Sequence, residues 1–122
     1  MFKRASRSFA LLMLMLPFSV AALEQTDPVL VTLMENMSVE QKVAQMIQAE
    51  IKHVTPEELR EFGLGSILNG GGSFPQANKH ATVGDWVALA DAYHAASVDR
   101  SQGSAGIPII WGTDAVHGHN NV

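Results

Sequence analysis

The 122-residue chain contains no cysteine. Disulfides and thiolate metal sites are therefore excluded, and any fold must rest on packing and hydrogen bonds. Basic residues are scarce as well, with eight Lys and Arg against twelve Asp and Glu. Three of those eight (Lys3, Arg4 and Arg7) sit at the very start, so residues 23–122 carry five basic against twelve acidic side chains, a net of −7. Phosphate binding needs clustered Lys and Arg, so this balance argues against nucleic acid as a partner. Long apolar runs are missing too. Phe9–Leu16, broken by Pro17, is too short to span a bilayer, and no second run approaches spanning length.

What is present at the start is an ordered pattern. Basic residues lead into the apolar Phe9–Leu16 stretch, and small residues come next, ending in Val20-Ala21-Ala22. That order is the pattern of a secretory signal peptide, so residues 1–22 are expected to be removed on export. The mature chain is then secreted or periplasmic, with no membrane attachment after cleavage. The chain stops at Val122, directly after His-Gly-His-Asn-Asn with no closing helix or strand. It reads as an interrupted sequence.

Asp27-Pro28 suits an N-cap and first helical residue, because proline lacks only an N–H that has no partner there. Leu30, Leu33, Met34 and Met37 recur at helical spacing. Ser38 with Gln41 forms a capping box for a second helix, striped by Val43, Met46 and Ile47. Thr55, Pro56 and Glu58 start a third, with Leu59 and Phe62 facing inward and Gly63 ending it. Leu64–Asn69 then reads as a buried strand running into Gly70-Gly71-Gly72. Thr82–Ser97 presents Trp86, Leu89, Ala90 and Tyr93 on one face of an amphipathic helix. Ile107–Trp111 reads as a second buried strand, with Pro108 tolerated near its beginning. Two nearly all-apolar strands joined by a helix imply parallel pairing, and the fold class is α/β.

Parallel strands place their C-terminal ends on one side. Gly70–Ser73 and Gly112–His119 should then share a rim, and that rim is where α/β folds bind ligands. Asp114 stands out there. A carboxylate just beyond an apolar strand must be solvated, paired or bound to a ligand, and accepting two sugar hydroxyls is a natural use. The alternative is an N-cap for a helix from Ala115 onward. His117 and His119, two apart, could point the same way toward a metal, but no Asp or Glu comes after them to complete a site. The triple glycine matches no phosphate-loop spacing and is better suited to keeping the rim low. Trp86 and Tyr93 read as core, Trp111 as either core or a stacking surface, and His53, His80 and His94 as solvated surface.

GLGSILNGGGSFP (Gly63–Pro75), Trp86 and IPIIWGTDAVHGHNNV (Ile107–Val122) together resemble the opening of glycoside hydrolase family 3. The likeness is to its β-glucosidases and exo-acting β-glucan hydrolases, and the stretch Gln41–Met46 resembles the family's QKIGQM-type start. The resemblance implies that residues 23–122 begin a (β/α)8 TIM-like barrel, with about two strands and their flanking helices present. It implies that Asp114, at the end of the second strand, holds sugar hydroxyls. The family's nucleophile and acid/base lie further along the chain, so no catalytic residue is expected in these 122. The implied reaction is retaining hydrolysis of β-glucosides or gluco-oligosaccharides from the non-reducing end, with no cofactor or metal. Two other classes stay open: a non-catalytic carbohydrate-binding protein on the same barrel, and a small exported metal-binding protein using His117 and His119.

Overall fold

The structure, a computed structural model, describes residues 27–118. Residues 1–26, which include the stretch 1–22 expected to be a signal peptide, and His119–Val122 lie outside the described residues. The elements are α1 (Pro28–Asn36), α2 (Val39–Gln45), β1 (Gln48–Glu50), α3 (Pro56–Phe62), β2 (Ser66–Asn69), a 3₁₀ turn (Pro75–Ala77), α4 (Val83–Val98) and β3 (Ile110–Thr113).

Each α-helix begins where a side chain accepts a backbone N–H left without a partner in the first turn. Asp27 accepts from Val29 at 2.8 Å ahead of Pro28. Ser38 with Gln41 and Thr55 with Glu58 close the two expected capping boxes. Thr82 with Asp85 forms a third, an aspartate taking the place of the usual Glu or Gln. Its bonds from Thr82 hold the Asp85 carboxyl below its ordinary range. Gly63 ends α3 in the left-handed region at φ 65°, a conformation that costs a glycine nothing.

The three strands form one parallel sheet in the order β1-β2-β3. This corrects the expectation of two strands. β1 has three residues, two of them polar, so it offers no apolar run to notice; its identity comes from pairing Ala49 with Ile67. The last strand is also displaced, to Ile110–Thr113. Pro108 has no N–H, and the Ile109 N–H goes to Ser97 Oγ at 3.0 Å, so ladder pairing starts only at Ile110 opposite Ser66.

Register places Ala49, Ile67 and Trp111 on one face of the sheet. That face is covered by helices: Ile67, Leu59, Tyr93 and Ala96 are fully buried and form one cluster with Val54 and Leu64. Trp111 packs edge-on against Trp86 and Tyr93, with ring centroids 6.5 and 6.0 Å apart, which makes it core. The opposite face carries Gln48, Glu50, Ser66, Leu68, Ile110 and Gly112 and has no helix on it among the described residues.

Several expected inward stripes face outward. Val43, Met46 and Ile47 of the α2 stripe are exposed, as are Leu30 and Met34 of α1 and Phe62 of α3. Of the same stripes Leu59 and Met37 are buried, and α2 buries Ala44. α2 ends at Gln45 with Met46 as its C-cap, so of its expected stripe only Val43 lies in the helix, and Met46 and Ile47 come after it.

Candidate functional site

The parallel sheet brings the ends of three strands to one rim: Glu50 from β1, Asn69 from β2, and Thr113 with Asp114 from β3. Asn69 is only 1% exposed, and its side chain organises the glycine loop that β2 runs into. Its Nδ2 donates to the carbonyls of Gly70 at 3.0 Å and Ser73 at 2.9 Å, folding that loop back on the strand. The Ser73 N–H closes the turn onto Gly70 O at 3.1 Å. A Cβ added at Gly71 or Gly72 would meet nothing within 4 Å, so both face open space and leave the backbone approachable.

Asp114 comes directly after β3. Its N–H donates to Asn69 O at 2.9 Å, which joins its position to the glycine loop through one residue. The carboxylate is exposed. Oδ1 accepts the Val116 N–H at 3.4 Å, a long local turn contact, and Oδ2 has no hydrogen bond among the described residues. The chain from Asp114 to Gly118 is not helical, so the capping alternative has no helix to cap there. The sequence-predicted pair, Asp114 and the Gly70–Ser73 loop, is thus brought together on one rim.

His117 is exposed on the same stretch, and His119 lies outside the described residues. Among the described residues no group of three or more His, Cys, Asp or Glu is placed to hold a metal ion.

Sequence reasoning passed over Glu50. Its Oε1 accepts from Ser73 Oγ and from Gly70 N at 3.3 Å, and its Oε2 accepts from Lys52 N at 2.9 Å. The signal that could have found it is the alternation Ile47-Gln48-Ala49-Glu50-Ile51, a short period-two pattern on which a polar strand face is written. Beneath this corner, Tyr93 donates its hydroxyl to the carbonyls of Val54 and Ile51, the second at 3.3 Å, and so pins the turn after β1. Burial, with smaller contributions from the charges of Glu50, Glu58 and Glu57, pushes its phenol up to about 12.

A groove of about 580 Å³ between α1 and the Arg100–Ala105 loop is larger than anything at the rim, but it has no carboxylate among its lining residues. Hydrolytic chemistry on a sugar needs carboxyl groups, so the rim is the better candidate.

Residues 38–122 match the glycosyl hydrolase family 3 N terminal domain. The chain belongs to that family. Two solved structures agree with the assignment: an exo-1,3/1,4-beta-glucanase from a Pseudoalteromonas species and a mutant form of the same protein. Each is 46% identical to this chain over 79% of it, with a TM-score of 0.73. The chain spans 12% and 16% of the lengths of those two. No curated protein sequence matches it. The described residues of this family 3 chain, a parallel sheet with helices on one face, are an incomplete (β/α)8-type barrel.

Proposed function

We propose that this chain is the opening part of an exported glycoside hydrolase that releases glucose from the non-reducing ends of β-glucosides and β-glucans with retention of configuration. Asp114 carries the reading. An exposed carboxylate with one oxygen unengaged among the described residues, held by its own backbone at the end of a parallel strand, is a ready acceptor for sugar hydroxyls. The solved relatives support a β-glucan substrate, since both are described as exo-1,3/1,4-beta-glucanases. Retention requires a nucleophile and an acid/base about 5 Å apart, and residues beyond this chain supply them. Export rests on residues 1–22, and a mature protein whose first residue is Leu23 checks it.

The test uses the full-length enzyme that carries these residues. Asp114→Ala removes charge-assisted hydrogen bonds worth about 1.5–3 kcal/mol each. Two such bonds that tighten in the transition state amount to a fall in kcat/KM on the order of a hundredfold or more. Steady-state kinetics on an aryl β-glucoside reads this, and NMR of the first-formed anomer reads retention. Unchanged kinetics in Asp114→Ala would remove Asp114 from the sugar site, and sugar binding without turnover in the wild type would make the protein a carbohydrate binder.

A further inference from the structure

Glu50 closes β1 on the sheet face that carries no helix among the described residues, and one of its oxygens is spent on a neighbouring loop. Ser73 Oγ and Gly70 N converge on Oε1, and Lys52 N occupies Oε2. Ser73 is 2% exposed, so its hydroxyl is committed to this bond. The loop it closes contains Gly71 and Gly72, which are exposed and where an added Cβ would meet nothing within 4 Å among the described residues. Two adjacent exposed glycines hold one conformation only if the ends are tied, because glycine loses the most backbone freedom on ordering. Glu50 ties the loop from β1, and Asn69 ties it from β2. Asn69 also gives its carbonyl to the N–H of Asp114. A continuous hydrogen-bonded path thus runs from Glu50 through Gly70, Ser73 and Asn69 to Asp114.

We propose that Glu50 is a positioning residue for sugar binding at this rim, holding Asp114 in place through the Gly70–Ser73 loop without touching the sugar itself. The proposal rests on Asp114 as the sugar-gripping carboxylate. Oε1, the oxygen that holds the loop, already accepts both Ser73 Oγ and Gly70 N, so a sugar hydroxyl taken there would compete with the loop. A carboxylate suits the task better than an amide, because it accepts at both oxygens and its bonds are charge-assisted.

The test measures kcat/KM on an aryl β-glucoside and thermal stability in the full-length enzyme, for Glu50→Ala, Glu50→Gln and Ser73→Ala, each alone and combined with Asp114→Ala. Misplacing a binding group by about an ångström costs up to a hundredfold. Glu50→Ala should therefore lower kcat/KM by roughly ten- to a hundredfold, with Glu50→Gln recovering part of the loss through its remaining acceptor oxygen. In the Asp114→Ala background the same Glu50 change should cost less than about threefold, because residues acting through one another are not additive. Its effect on thermal stability should persist there, which separates positioning from general loosening. If Glu50→Ala fails to fold, Ser73→Ala carries the same cycle with only a hydroxyl removed. Losses that multiply in full with Asp114→Ala, or wild-type kinetics in Glu50→Ala and Ser73→Ala, overturn the proposal while leaving the site reading intact. An enzyme indifferent to Asp114→Ala overturns both.

Discussion

Tyr93 shows how one buried hydroxyl couples the core to the rim. Its ring is 1% exposed, and its O–H serves two backbone carbonyls in the turn after β1, the strand that ends in Glu50. Tyr93→Phe leaves those carbonyls without their donor, and the expected loss is about 1–3 kcal/mol of folding stability. The pH dependence comes from the phenol being pushed up to about 12, from an ordinary value of 10.0. The unfolded chain gives up the proton first, so the stabilisation is complete below pH 10 and falls as pH rises toward about 12. Urea midpoints of the full-length enzyme at pH 9 and 11 check this: wild type should lose more than Tyr93→Phe over that interval. Equal losses would assign the alkaline sensitivity to other groups. The residues that shape the rim were unequally legible. Asp114 stands out because a charge comes three residues beyond an apolar run, whereas Glu50 ends a short strand with little pattern and acquires meaning only through Ser73 and Gly70 across the sheet. Asn69 was visible as a polar end to a strand, but its two loop bonds depend on a turn geometry that residue type alone does not specify.

At the scale of elements, local chemistry was readable and partnership was not. Helix starts at Asp27, Ser38 and Thr55 arise from side chains within three residues of the bonds they make, so the sequence contains the whole interaction. β1 depends on β2, sixteen or more residues away in the chain, and its three residues carry too little pattern to announce it. The same limit explains Val43, Met46 and Ile47: their spacing suggests one helical stripe, but the helix ends at Gln45 and the chain turns into β1. Gly65, ahead of β2, belongs to this scale. A Cβ there would come 2.1 Å from the carbonyl oxygen of Gln45, while its N–H bonds Ala44 O at 3.0 Å and its own carbonyl takes the Ile110 N–H at 3.1 Å. The end of α2 and the start of β3 both meet the chain at this point, so the backbone has no direction in which to yield. Gly65→Ala should cost about 3 kcal/mol or more, at the upper end of overpacking penalties, and Gly71→Ala, facing open space, should be far milder. Thermal denaturation of the two variants in the full-length enzyme gives the comparison; equal losses would show that the close approach at Gly65 relaxes easily.

For the molecule as a whole, residues 27–118 form three strands of a barrel that needs eight and about 250 residues to close. Among the described residues β1 and β3 each have one unpaired edge, and Val43, Met46, Ile47, Phe62 and Ile110 leave 45–84% of their area exposed. A fully buried side chain of this kind contributes about 1.5–3 kcal/mol. Leaving five of them largely in water forfeits on the order of 5 kcal/mol, comparable to the lower end of the roughly 5–15 kcal/mol that stabilises a domain. Open parallel edges add a second hazard, since each presents free backbone donors and acceptors to another chain. The 122-residue chain expressed alone should therefore self-associate, show no cooperative thermal transition and leave an aryl β-glucoside intact. The full-length enzyme should melt cooperatively and turn it over. Calorimetry with light scattering and an activity assay, run on residues 23–122 beside the full-length protein, decides the matter. A monodisperse 23–122 chain with a sharp transition would mean that α1 and α2 fold over the bare sheet face and supply the burial that the rest of the barrel is here assigned.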